Sequence, residues 1–291
     1  MEKTSKALFI NFGGIGDEIL FLPTLQSFKN SFPEAEITLA LEPRSKSIKN
    51  LTALIDNVLE INIKGKNKYF ELLKLIFSAR RGHYDIIISS GGNKFIAILL
   101  YLTGIKNRIG YNTGKLSQKL LTTAVPLEKN RYASEMYHEL VKPLTKDMAG
   151  TPYIETGETE TEPNSVVIHP GVSKMSVSKN MVKTYSPEKW TELINKLLEK
   201  GKKVYLAGGP DDKDYVEAIG KNFIENEKFI NYYGKTKNIM DLAKLIASKE
   251  VLICCDSAPM HIGIAVGARV LAIFGPTDEK KLIPVSEKAG T

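Results

Sequence analysis

The run DSAPMH, residues 256–261, gathers a carboxylate, a hydroxyl and an imidazole where an apolar stretch, 251–255, gives way to a helix start. The first amides of a helix lack internal partners, and the helix dipole adds partial positive charge. The turn made by Ser257, Ala258, Pro259, Met260 and His261 therefore offers a place for a phosphate. His261, one turn in, can donate to a phosphate or a sugar oxygen. A carboxylate repels a phosphate, so Asp256 either caps the helix or accepts from sugar hydroxyls. Standing alone, the pattern D-S-x-x-x-H reads equally well as a capped helix with an incidental histidine.

A second carboxylate, Asp17, lies in GGIGDE directly after the first apolar run, with Gly14 and Gly16 in the same turn. At the first residues of a helix it is either a general base or a charge that suits a helix N-terminus. A G-x-G-x-x-G dinucleotide fingerprint starting at Gly14 would need glycine at position 19, where Ile19 stands; Glu42 would be its ribose acid. That mismatch makes an NAD oxidoreductase an outsider. Between residues 169 and 190, Gly171, Ser173 and a lysine make a diphosphate cradle, and Lys174, Lys179 and Lys183 all qualify as that lysine. Gly208 and Gly209 let a ligand approach the backbone just before Asp211 and Asp212, either of which can reach a ribose. The same DDKD run contains D-x-D, a metal-binding spacing in some transferases. Acids are ordinary at a helix start, however, and no metal is expected.

The elements that must hold these groups alternate. Strands are expected at 7–12, 36–41, 58–63, 85–89 and 108–111; a tight turn at 13–17 leads into a helix running to about 31, and further helices are expected at 44–54, 68–81 and 93–102. After the polar, acidic stretch TPYIETGETETEPN the alternation restarts. Strands are then expected at 166–169, 203–207, 229–233, 251–255 and 270–274, with helices at 187–200, 211–222 and 239–248. Such alternation predicts an α/β protein with parallel sheets covered on both faces. The domains would be 1–150 and 165–291, with 151–164 as linker and a cleft between two Rossmann-like halves.

Composition narrows the function classes. The 291 residues are 43% hydrophobic and 25% charged, ordinary for a globular protein, and no apolar run is long enough to span a bilayer. The N-terminus MEKTSKALFINF has no signal-peptide core. Adjacent Cys254 and Cys255 would point to opposite faces of one strand, as core thiols in a reducing compartment. The net charge of +7 favours anionic partners: nucleotides, phosphorylated sugars or an acidic membrane surface. No nucleic-acid motif is present, and nucleic acid is not expected.

Four segments together resemble the lipopolysaccharide heptosyltransferases, glycosyltransferase family nine. They are IGDEILFLP from Ile15, HPGVS from His169, KTYSPEKW from Lys183, and DSAPMHIGIAVGARVLAIFGPTD from Asp256. The resemblance implies a GT-B fold with an acceptor-binding first domain and a nucleotide-sugar-binding second domain. It implies inverting, metal-independent transfer of a heptose-like sugar from an ADP-linked donor to lipopolysaccharide or another cell-surface glycan. That activity would sit in the cytoplasm, with peripheral contact to the inner membrane. By motif position Asp17 would be the base, Lys183 a donor phosphate ligand, and Asp256 through His261 the holders of sugar and diphosphate. The chain departs from the family pattern at Ala258 (usually glycine), at Tyr185 (usually tryptophan) and at Arg269, near a common proline. It also stops soon after Pro284, where relatives usually continue. An epimerase of the same architecture and a non-catalytic nucleotide-sugar-binding protein are the alternatives.

Overall fold

The computed structural model describes residues 4–171 and 184–284. The chain divides into two compact units, Met1–Pro152 and Tyr153–Thr291.

In the first unit the order is β1 (Lys6–Ile10), α1 (Ile15–Ser31), β2 (Glu36–Leu41), β3 (Asn57–Glu60), α2 (Lys68–Arg81), β4 (Ile86–Ser89) and α3 (Phe95–Leu102). It continues with β5 (Asn107–Tyr111), α4 (Lys115–Leu120), β6 (Thr123–Val125) and α5 (Ala133–His138). The strands form one parallel sheet in the order β3-β2-β1-β4-β5-β6. A parallel sheet covered on both faces needs apolar residues on both, and β1 supplies them. Phe9 meets Phe21 and Phe28 of α1 edge-on, at 5.9 and 5.1 Å between ring centres. Leu8 and Ile10 join Leu75 and Ala79 of α2 and Ala97 and Leu100 of α3 in a separate core. Right-handed crossovers account for the two layers: β1 to β2 runs one way across the sheet, whereas β3 to β4 and β4 to β5 run the other.

The second unit holds β7 (Glu162–His169), α6 (Pro187–Glu199), β8 (Lys203–Leu206), α7 (Lys213–Gly220), β9 (Phe229–Asn231) and α8 (Ile239–Ala247). It closes with β10 (Lys249–Cys255), α9 (Ala258–Ala265) and β11 (Arg269–Ile273). Its sheet is also parallel, in the order β11-β10-β7-β8-β9. Counted from the first strand of each unit, the orders are 3-2-1-4-5-6 and 3-2-1-4-5, the Rossmann plan in both. Trp190 of α6, fully buried, anchors the second core among Val166, Ile168, Val204 and Leu206. Its indole donates to the Thr184 hydroxyl at 3.0 Å, so the buried N–H is satisfied.

Several expectations need correction. The stretch 44–54 is a 3-10 helix, Pro43–Leu51, entered through a proline. The helix expected at 211–222 is α7 alone, with 3-10 turns at Pro210–Asp212 and Lys221–Phe223. Elements α4, α5 and β6 were not anticipated. The acidic stretch 151–164 is partly built into the second unit. Ile154 is buried and its N–H donates to the Ala265 carbonyl at 2.9 Å. The Glu162 carboxylate takes Lys203 and Lys249, both at 2.8 Å, and the Tyr205 hydroxyl at 2.6 Å. These cations and the hydroxyl hold it down to about 2, so β7 starts at Glu162 rather than at Val166.

Candidate active site

In open α/β sheets, ligands bind beyond the carboxyl ends of the strands, where the strand order reverses. In the first unit that point lies between β1 and β4, and GGIGDE follows β1 directly. Gly14 is the N-cap of α1, and Asp17 sits in its first turn. Asp17 Oδ2 accepts the Gly14 N–H at 2.7 Å, closing the half of a capping box that a glycine can make. Asp17 remains half-buried. Gly13 is the residue with no room: a Cβ there would lie 2.2 Å from the Asp17 Cβ and 2.6 Å from its Oδ2. A Cβ on Gly14 would come no nearer than 3.7 Å to Arg44 or Asp17, so Gly14 is not required sterically. Gly16 lies within the first turn of α1.

Next to Asp17 the chain hides a second acid. Glu18 is buried, its Oε2 accepts from Asn11 Nδ2 at 3.0 Å, and its Oε1 has no partner. Burial pushes its carboxyl well above the usual range, and the neighbouring Asp17 charge adds to the rise against the Asn11 hydrogen bond. Asn11 also donates to the Asp17 carbonyl at 3.3 Å and accepts the Ser90 hydroxyl. Asn11 and Ser90 follow β1 and β4, so this network ties the first turn of α1 to both strands of the switch point. Ser45 Oγ donates to the Gly13 carbonyl at 2.9 Å and holds the loop from the β2 side. Glu42, at the same edge, is buried with Arg44 Nε 3.8 Å from its Oε2. The sequence offered Glu42 as the ribose acid of a dinucleotide site; the structure turns it to Arg44.

In the second unit the reversal lies between β7, which ends at His169, and β10; Pro170–Gly171 and the 256–261 run follow them. Asp256 is buried; its N–H donates to the Ile273 carbonyl at 3.0 Å and its Oδ2 accepts the Thr277 hydroxyl. Ser257 is the N-cap of α9, and Ser257 and Ala258 keep exposed surface while Pro259, Met260 and His261 are buried. Donors are fewer here than the sequence suggested. Pro259 has no N–H, and the Met260 N–H donates to the Ser257 carbonyl at 3.0 Å. The exposed part of the turn is its Ser257–Ala258 end, and Met260 is fully buried.

The loops after β7 and β8 meet at Asp212. Its Oδ2 accepts the Gly209 N–H at 2.8 Å, and a Cβ on Gly171 would lie 2.2 Å from the same carboxylate. Gly171 is thus required by Asp212. A Cβ on Gly208 would sit 2.7 Å from Val216, so that glycine lets α7 approach β8. Asp212 thus joins the two loops, and Asp211 is the more exposed of the pair. His169 is buried with no partner on Nδ1; burial lowers its imidazole, against the Asp212 charge, and keeps the ring neutral. Cys255 is also buried, which pushes its thiol up to about 11. Ser173, Lys174, Lys179 and Lys183 lie outside the described residues. Among the described residues no group of three or more His, Cys, Asp or Glu could hold a metal ion. Two concavities, about 860 and 1000 Å³, are lined by residues at the opposite, amino-terminal edges of the two sheets, away from all of these groups.

Comparison with known proteins gives the chain its relatives. A lipopolysaccharide heptosyltransferase 3 from Escherichia coli K12 is 26% identical over 284 residues, 90% of this chain and 80% of the relative. Among solved structures, a glycosyl transferase family 9 protein from Veillonella parvula superposes with a TM-score of 0.79 at 20% identity, over 99% of this chain and 87% of its own. The ADP-heptose lipopolysaccharide heptosyltransferase II of E. coli follows with 0.74 at 20% identity, over 97% and 88%. The profile of glycosyltransferase family 9 (heptosyltransferase) matches residues 72–291, the whole second unit and about half of the first, though not the turn that carries Asp17. With that match spanning most of its length, the chain belongs to glycosyltransferase family 9, and it is a glycosyltransferase.

Proposed function

We propose that the protein transfers a heptose-like sugar from an ADP-linked donor to a lipopolysaccharide-type acceptor, in one inverting displacement that needs no metal. The observation that carries the reading is Asp17, held on the first turn of α1 at the switch point with one oxygen spent on Gly14 N–H. Its Oδ1 takes the acceptor hydroxyl proton as the acceptor oxygen bonds to the anomeric carbon. The bond from that carbon to the diphosphate breaks, and its electron pair leaves with ADP. The charge that grows on the diphosphate is met by the α9 N-terminus at Ser257–Ala258 and by one of Lys174, Lys179 and Lys183. Asp211, beyond the Gly208–Gly209 turn, is the candidate for the ribose. Asp256, tied to Thr277, and His261 complete the donor side.

The donor base and acceptor class are supported by the relatives' names, an ADP-heptose heptosyltransferase and a lipopolysaccharide heptosyltransferase. The test is turnover on a panel of ADP-, UDP- and GDP-linked sugars with deacylated lipopolysaccharide core as acceptor and EDTA present. NMR of the new linkage reads its anomeric configuration. The account expects ADP-sugar turnover with inversion and no loss with EDTA. Retention of configuration, or donor epimerisation without acceptor product, would overturn it.

A further inference from the structure

The outward side of α2 and α3 is the wrong kind of surface for a water-facing helix pair. Leu72, Leu75, Ile76 and Ala79 of α2 point inward at helical spacing, so polar residues belong on the other side. Instead Tyr69, Phe70, Leu73 and Phe77 stand 73%, 68%, 52% and 56% exposed. The neighbouring α3 adds exposed Phe95, Tyr101 and Leu102, and α4 adds Leu116. These eight are the majority of the thirteen large apolar side chains exposed among the described residues.

Charge gathers in the same place. Residues 64–119 carry eleven Lys and Arg against two Asp and Glu, a net of +9, while the whole chain carries +7. The rest of the sequence is therefore slightly acidic, at −2. Of the two acids, Glu71 lies 3.7 Å from Lys74, and Asp85 is taken up by the backbone N–H groups of Ser5 and Lys6. Lys68 lies over the Tyr69 ring, Lys94 over Phe95 and Arg108 over Tyr101, each cation within 6 Å of the ring centre. The cations are spread through the sequence and show no basic run; the fold sets three of them against exposed aromatic rings.

From this we propose that the outer face of α2 and α3 docks on an anionic phospholipid bilayer. Apolar and aromatic side chains enter the headgroup boundary while lysine and arginine stems snorkel to the phosphates, and the two terms add. A second copy of the chain fits worse, because a symmetric contact would bring this cationic surface against itself. Nucleic acid fits worse too, since Leu73, Phe77 and Leu102 have no partner on a phosphate backbone. Both helices follow strands of a parallel sheet, so their first residues, near Tyr69, Phe70 and Phe95, lie at the edge that carries Asp17. The face deepens the reading of a lipid-borne acceptor and rests on it for its purpose, not for its chemistry.

Flotation of the full chain with vesicles tests the proposal without donor or acceptor, so its outcome is independent of the transferase reading. The vesicles are phosphatidylcholine alone, or phosphatidylcholine mixed with phosphatidylglycerol. The chain is expected to float with the anionic vesicles only. The triple variant Phe70→Ser, Leu73→Ser, Phe77→Ser should lower partitioning at least about tenfold. Lys74→Ala with Arg81→Ala should lower it roughly 25-fold, about fivefold per charge. Circular dichroism should show both variants folded, and turnover on a soluble acceptor should match the parent. Equal binding of both vesicle types, or full binding by the triple variant, would overturn the proposal. So would a concentration-dependent dimer, or duplex DNA binding, that the triple variant abolishes while the parent ignores vesicles.

Discussion

The two units share a strand order and differ in what surrounds it. In the second unit α6 shows water Glu188, Lys189, Glu192, Lys196 and Glu199, with Glu192 3.6 and 2.8 Å from Lys189 and Lys196. In the first, α2 shows water four large apolar side chains ringed by cations. The switch points differ as well. The first holds Asp17 beside a buried Glu18 whose carboxyl is pushed well above its usual range; the second holds a buried His169 whose imidazole is lowered, and a helix N-terminus with no acid in its first turn. One edge suits proton removal and the other suits an anion. The shared plan sets where chemistry can occur, and the residues at each edge set which chemistry.

Substitutions in the two units test these differences. The largest stability effect belongs to the second core. Trp190→Ala empties a fully buried site and should cost about 3–5 kcal/mol, read by denaturant unfolding. Phe70→Ala, on the exposed face, should stay within about 0.5 kcal/mol. If Phe70→Ala cost as much as the tryptophan, the outer face of α2 would be core and not surface.

The two glycines of the first turn should separate next. Gly13→Ala drives a Cβ into Asp17 and must shift that carboxylate, so turnover should fall steeply; Gly14→Ala has room and should retain it. Equal losses would mean that the turn senses glycine for its backbone freedom and not for the approach of Asp17.

The buried titrating groups give a finer reading of opposite sign. Glu18 has a raised folded pKa, so its contribution to stability is full below the unfolded value of about 4.5 and is lost as pH rises through the folded pKa. Glu18→Gln should be more stable than the parent at neutral pH, with the gap closing toward pH about 4.5. His169 has a lowered folded pKa, so stability is lost as pH falls below about 6.5, and His169→Asn should flatten that acid limb. Thermal melting across pH checks both. The smallest effect is Lys196→Ala, which removes an exposed pair four residues apart and should barely move the melting temperature.

Much of the plan was legible because period carries it. The helix expected at 68–81 is α2 residue for residue, since Leu72, Leu75, Ile76 and Ala79 repeat at helical spacing. The long apolar strands were equally plain. The three-residue β6 and six-residue α4 and α5 are too short to show a period, and they form because the sheet and neighbouring helices hold them. At the candidate site the motif glycines and acids were visible, but their roles were not. An acid after Asp17 reads as a surface charge at a helix start, and only packing reveals Glu18 as buried beside Asn11. Likewise DDKD does not say what Asp212 does; it accepts the Gly209 N–H and lies against Gly171. The exposed face of α2 escaped because Tyr69, Phe70, Leu73 and Phe77 interleave with the inward-facing set, and large apolar residues in a helix read as core.

The account stands or falls on whether Asp17 does more than cap a helix. Turnover of Asp17→Asn with ADP-heptose, measured alongside ADP affinity by calorimetry, separates the two roles. Asparagine still accepts the Gly14 N–H, so the fold and ADP binding should hold while turnover drops by about 10²–10⁴. Parent-level turnover would leave Asp17 as a cap alone and contradict the account.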